Sequence, residues 1–201
     1  MPPSPRAPRR RLDADARRRD ILEAGRLLFS SSSFTEVSTQ QLAAASGASQ
    51  ALLFHYYGSK AGLYTAVVED ALAQLAVARR VAEEALPAGV SVRDRVRTFL
   101  EVYLDDVARR PWVWSPHLGA EEPPETTAVR QRARADDVAG LRERLGVTGW
   151  PRHAYALWGF FGFVDSACLA WVDAGCPDAD RHPLLDAALG ALEGALGDWG
   201  A

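Results

Sequence analysis

Apolar residues recur along most of this chain at spacings of three, four and seven, the period of a helix buried along one face. Ile21, Ala24 and Leu28, with Leu22 and Phe29 beside them, predict a first helix over residues 15–30, ended by the serine run 30–33. A short second helix is expected over 39–45. Ser38 is suited to cap it, and Gln41 stands three residues later to complete a capping box. Gly47 suits the left-handed conformation of a tight turn. A third helix over 50–56 follows, capped by Ser49. After the break at Gly58-Ser59, Leu63, Val67, Leu72, Leu75 and Val81 stripe a long helix over 60–85. A fifth helix over 92–109 carries Val96, Phe99, Tyr103 and Val107 on one face, and Pro111 stops it. A short tryptophan-rich piece over 111–118, a charged helix over 126–145 and two last helices over 154–174 and 183–199 complete the chain. No segment alternates as a strand does, and no repeat is visible. The expectation is an all-α fold of about nine helices. It divides into a flexible basic arm (1–14), a three-helix domain (15–63) and a larger helical domain (64–201).

Residues 38–57 are the part of this pattern that suggests a function. Two short helices joined by a glycine turn form a helix-turn-helix candidate. Ala43, Ala44 and Ala48 are small enough for a close crossing, and Leu42, Leu52, Leu53 and Tyr57 supply an inner face. Ser49, Gln50 and His55 would then be available to a major groove. An ordinary helical hairpin has the same periodicity. Lys60 opens the fourth helix at the positive end of its dipole, where a cation is disfavoured unless a phosphate faces both. A solvated surface lysine is the alternative.

Charge separates these readings further. The 201 residues carry a formal charge of −3, unpromising for a polyanion partner. Residues 1–60, however, hold nine basic and five acidic side chains, a balance of +4 against −7 for the remainder. Lys60 is the only lysine among 23 basic residues. Arginines 6, 9, 10 and 11 crowd the arm, suited to tracking phosphates or entering a minor groove. Two cysteines, Cys168 and Cys176, exclude a disulfide scaffold and give no metal-binding spacing. The apolar run 154–172 is long enough to span a bilayer, but Asp165, Ser166 and two glycines interrupt it. It reads instead as a helix buried within a soluble domain or dimer. No nucleophile–base pair, metal-ligand set or glycine-rich phosphate loop is apparent, so no catalytic residues, metal or cofactor are assigned. A cytoplasmic, non-enzymatic protein without a membrane partner is expected.

The stretch from Arg18 to Val67 resembles the DNA-binding domain of the tetracycline-repressor (TetR) family of bacterial regulators. The resemblance rests on RDILEAGRLLF at 19–29 and on VSTQQLAAASGASQALLFHYYGSKAGLYTAVV at 37–68. Within the latter, Gly47-Ala48-Ser49, the aromatic cluster 54–57 and Ser59-Lys60-Ala61-Gly62-Leu63 fall in the family's order and spacing. It implies that Ser38 and Thr39 hydrogen-bond a phosphate and that Gln40 reaches a base or the backbone. Gln50 would be the main direct reader, since glutamine pairs bidentately with adenine. Ser49 and Ala51 flank it, His55 contacts a base edge or phosphate, Tyr56 reaches the backbone and Lys60 holds a phosphate. Leu42, Leu53 and Tyr57 are expected in the core. Three positions depart from the family pattern. Ser33 stands where a glycine usually ends the first helix. Phe54 replaces a phosphate-binding tyrosine. Gly62 replaces a common acidic residue and removes a capping box.

The later helices resemble the family in number and order. Their aromatics suggest an apolar pocket lined by Phe99, Tyr103, Trp112, Trp114, His117 and Trp158, with His117 as its polar contact, for a largely apolar or aromatic effector. Plain core packing is the alternative. Small residues on the last two helices (Gly159, Gly162, Ala167, Ala170; Ala187, Ala188, Gly190, Ala191, Gly194, Ala195) permit a four-helix dimer interface. The resulting expectation is an effector-released homodimeric repressor on a pseudo-palindromic double-stranded operator. The alternative is a DNA-bound regulator of a non-transcriptional process, or one without an effector.

Overall fold

A computed structural model describes residues 7–114, 122–147 and 149–197. Among these residues the chain is all-α. Its nine helices are α1 (Ala7–Phe29), α2 (Thr39–Ser46), α3 (Gln50–Tyr57), α4 (Lys60–Glu84), α5 (Val92–Arg109), α6 (Pro111–Trp114), α7 (Pro124–Leu145), α8 (Pro151–Asp173) and α9 (Asp178–Leu196).

Capping fixes the short helices. The Ser38 hydroxyl accepts the Gln41 backbone N–H at 3.2 Å while the Ser38 N–H donates to the Gln41 side chain at 2.8 Å, closing the expected capping box of α2. Gly47 ends α2 at φ +63°, a conformation that costs glycine little and other residues more. Ser49 and Ser59 cap α3 and α4 through their hydroxyls alone, which accept the backbone N–H of Leu52 and Gly62.

Four helices begin earlier than their periodicity indicates. α1 starts at Ala7, so residues 7–14, expected in a flexible arm, continue the helix. Alanine and arginine propagate a helix well, and Pro8 sits in its first turn, where no N–H partner is lost. Pro124 and Pro151 open α7 and α8 at their first turns, where a fixed φ is an advantage rather than a break. α9 begins at Asp178 and carries Pro183 inside it. Asp178 and Asp180 complement the dipole there, and Arg181 fastens this turn to α5 through the Glu101 carbonyl at 2.8 Å and Asp105 at 2.6 Å. These contacts outweigh the one backbone bond that proline removes.

The helices enclose two apolar cores. Ile21, Phe29, Val37, Leu42, Leu53, Leu63, Tyr64 and Val67 form the first, between α1, α2, α3 and the start of α4. Leu75, Leu100, Leu104, Leu157, Phe161, Val164 and Leu189 anchor the second, between the rest of α4 and α5, α7, α8 and α9. α4 runs through both. The four-residue α6 joins them as well: Val113 is buried in the first core, and Trp114 packs against each. α4 and α8 are both long and apolar enough to cross a membrane. Both are core helices here, and both carry charged groups that pair with α7.

Candidate nucleic-acid interface and effector cavity

The helix-turn-helix buries Leu42, Ala43 and Leu53 as expected, while Ala48, Leu52 and Tyr57 are only partly buried and Ala44 is not buried at all. The Tyr57 hydroxyl donates to the Arg18 carbonyl at 2.8 Å, tying the end of α3 to α1. Opposite this inner face, Ser38, Gln40, Ser49, Gln50, Ala51 and His55 are exposed and Thr39 is half-exposed, while Tyr56, also half-exposed, packs in part against the first core. The start of α2 and the start of α3 lie together, because the Thr39 hydroxyl donates to the Gln50 side-chain oxygen at 3.3 Å. That bond takes one lone pair of the Gln50 oxygen and leaves the other, with the two amide N–H donors, for a further partner. The edge of the His55 ring meets Tyr56 at 5.3 Å between centroids.

Lys60 has work within the fold. Its ammonium donates to the carbonyls of Phe34 and Val37 at 2.8 and 2.9 Å and lies 4.1 Å from the centre of the Phe34 ring. Partial burial pushes its pKa down. It thereby closes the loop that leads into Ser38, with one N–H left to offer a phosphate.

Each departure from the family pattern has a local consequence. Ser33 needs no left-handed backbone. Its N–H and hydroxyl both donate to the Glu36 carboxylate, at 2.8 and 2.7 Å, and hold that carboxyl below its usual pKa. Phe54 is 42% exposed, an apolar ring on the outer face of α3. Gly62 approaches the Tyr57 carbonyl so closely that a Cβ there would collide with it.

In the second core a cavity of about 580 Å³ opens between α4, α5, α7 and α8. Tyr103, Trp114 and Trp158 line it, together with Leu72, Leu75 and Phe161. Phe99 does not line it; its ring lies beneath the Arg79 guanidinium, 3.6 Å from the cation to the ring centre. His117 lies outside the described residues, as does the side chain of Trp112. The polar wall comes from residues the aromatic pattern did not indicate. Arg79 meets Asp137 at 2.9 Å, Arg134 meets Asp165 at 2.6 Å and Arg130 meets Glu122 at 2.7 Å. A sequence signal existed for them. Arg130, Arg134 and Asp137 share one face of α7 at helical spacing, and Asp165 interrupts an apolar run where only a paired carboxylate is tolerated. Among the described residues no group of His, Cys, Asp or Glu is gathered to hold a metal ion.

Residues 21–67 match the family model of the bacterial regulatory proteins of the tetR family. No curated protein matches the chain. Solved structures with the same fold include a tetR-family transcriptional regulator from Streptomyces coelicolor, with TM-score 0.71 and 23% identity over 90% of this chain and 79% of that one. A TetR-like transcriptional regulator from Rhodococcus sp. RHA1 is similar at TM-score 0.69 and 23% identity, covering 90% and 97% of the two chains. The fatty acid degradation regulator FadR from Bacillus halodurans superposes at TM-score 0.70 with 13% identity, over 87% and 95%. Residues 21–67, with their outward-facing helix-turn-helix, thus match the bacterial regulatory proteins of the tetR family, and the helical frame around them has the fold of those solved regulators.

Proposed function

We propose that this chain is a cytoplasmic, homodimeric repressor that leaves a pseudo-palindromic operator when a small molecule enters the cavity of its second core. The exposed polar face made by the starts of α2 and α3 carries this reading. In it, Gln50 reads a base edge between Ser49 and Ala51, and Gln40, His55 and Tyr56 support that contact. Ser38, Thr39 and the free N–H groups opening α2 meet a phosphate, and Lys60 adds its remaining donor. The expected result for Gln50→Ala is a loss of about 1–3 kcal/mol at one operator position, roughly fivefold to 150-fold in affinity, with little change on unrelated DNA. Operator affinity should also fall steeply with salt through counterion release. Footprinting and titration of the promoter DNA adjoining its own gene, at several salt concentrations, measure both. Equal loss on all sequences would remove Gln50 from the reading role, and footprints scattered away from promoters would favour a non-transcriptional regulator.

The dimer reading is supported by the outer face of α8 and α9. Tyr155 is 78% exposed, Trp158 and Phe163 are exposed beside it, and a Cβ at Gly159, Gly162 or Gly190 would meet nothing within 4 Å. Such a small-residue and aromatic surface suits close helix packing against a second copy. Gly190→Arg should therefore leave the single chain folded, since it touches nothing within it, and shift light-scattering mass toward the monomer. A parent protein that is monomeric at micromolar concentration would defeat the dimer.

A further inference from the structure

The polar wall of the cavity is unevenly supplied with donors and acceptors. Arg79 reaches both oxygens of Asp137 through a single terminal nitrogen, at 2.9 and 3.0 Å. Arg134 likewise reaches both oxygens of Asp165 through one terminal nitrogen, at 2.6 and 2.8 Å. Neither is a two-pronged fork, so each guanidinium spends one nitrogen of three on its carboxylate. The Arg79 Nε–H is buried with no partner among the described residues, although a buried donor ordinarily has one. Tyr103, 7% exposed, lines the same wall and feels the charges of Asp165, Arg134 and Arg79. No hydrogen bond is made to its hydroxyl among the described residues, and burial pushes its pKa up, so it stands as a neutral O–H donor. The acid groups, by contrast, have both oxygens engaged: the Glu122 oxygens take the Arg130 Nε–H and the Thr127 hydroxyl. Three arginines against three carboxylates leave no net charge, which gives no field for a multiply charged polyanion. The remaining walls are the rings of Trp114, Trp158 and Phe161 with Leu72 and Leu75.

From this surplus of donors over an apolar floor, we propose that the cavity takes a singly charged carboxylic acid with an aromatic or alkyl body. Its carboxylate receives the Tyr103 hydroxyl and the spare N–H groups of Arg79 and Arg134, and its body lies against Trp114, Phe161 and the two leucines. The proposal rests on the reading of this cavity as the effector site and adds the chemical class that it accepts. A neutral amide loses one acceptor oxygen and the attraction of its own charge to the guanidinium groups, and an ammonium brings further donors to a wall that already has too many.

Isothermal titration of the intact protein with two matched series tests this: 2-naphthoate, 2-naphthamide and 2-naphthylmethylamine, then decanoate, decanamide and decylamine. The acid of at least one series should bind ten times more tightly, or better, than its amide and amine. Tyr103→Phe, nearly isosteric and leaving no charge unpaired, should weaken that acid about fivefold and its amide little. Arg79→Met combined with Asp137→Leu removes a pair without stranding either charge, and should bring acid and amide within threefold of each other. The proposal is overturned if amide or amine binds as tightly as the acid, if neither acid binds, or if the acid preference survives in both variants. Operator binding by the unliganded protein is independent of all three results. An acid that binds with the stated preference yet leaves the operator complex intact would defeat effector release and leave the ligand class standing.

Discussion

Replacing Lys60 with methionine should lower the stability of this protein by about 2 kcal/mol, because hydrogen bonds from a charged group are each worth roughly 1.5–3 kcal/mol and solvent recovers part of the loss at a half-exposed site. In a chain of 201 residues that corresponds to a fall of roughly 4–8 °C in melting temperature. Methionine keeps the apolar stem over Phe34 but leaves the Phe34 and Val37 carbonyls without their donor. These carbonyls belong to the segment that enters Ser38, so the start of α2 should loosen with them. Arginine should restore only part of the stability, since a planar fork cannot place one nitrogen against both carbonyls and the ring as an ammonium does. A lysine that served only to hold a phosphate would behave differently: operator affinity would fall in Lys60→Met while the melting curve stayed where it was. Thermal melts followed by circular dichroism, without DNA, separate the two cases, and an unchanged melting temperature would return Lys60 to a purely DNA-facing role.

Lys60 also shows where the sequence is legible and where it is not. Its position at the head of α4 is readable from Ser59 and the stripe behind it, because caps and periodicity are local. The carbonyls it binds lie 23 and 26 residues earlier, and nothing in a sequence marks a carbonyl that lacks a donor. The same division holds elsewhere. Ser38, Gln41, Gly47 and Ser49 define α2 and α3 through contacts three or four residues apart, and the structure reproduces them. Pro124, Pro151 and Pro183 mislead about helix starts, because proline stops a helix in its interior and is welcome in its first turn, and the residue alone does not say which applies. In the cavity, large aromatics can be listed from the sequence, but whether a ring faces a void or a neighbour depends on tertiary packing. Phe99 supports a guanidinium while Tyr103, four residues on, faces the cavity. The arginine–carboxylate pairs are missed for a related reason. Charged residues on a helix are ordinarily its solvated face, so the spacing on α7 and the isolated Asp165 point inward without naming a partner, and the pairing of Arg79 with Asp137 and of Arg134 with Asp165 is visible only in the fold.

Asp106→Ala should be the most damaging single change outside the apolar cores. Asp106 is 2% exposed on the inner side of α5. One carboxylate oxygen receives the Arg110 guanidinium, and the other receives the Trp114 indole N–H at 2.7 Å. Arg110 continues to the Gln74 side chain of α4 at 3.2 Å. One carboxylate therefore fastens α5, α6 and α4 where the two cores meet. Alanine would strand a largely buried guanidinium and an indole N–H together. Breaking a buried charged pair from one side costs about 3–5 kcal/mol, and the low end applies because Arg110 keeps some contact with solvent. A loss of about 3 kcal/mol lowers the melting temperature by roughly 6–12 °C in a chain of this size. Asparagine should fall between the two, since its oxygen can still accept from Trp114 while its amide faces Arg110 donor to donor. Because Trp114 lines the cavity and packs against both cores, its release should also shift the tryptophan emission toward that of a wetter indole. Melting curves and emission spectra of the two variants give the ranking directly. If Asp106→Ala melts with the parent protein, the packing of Val113 and Trp114 is enough to hold α6 between the two cores, and the carboxylate contributes nothing to the joint.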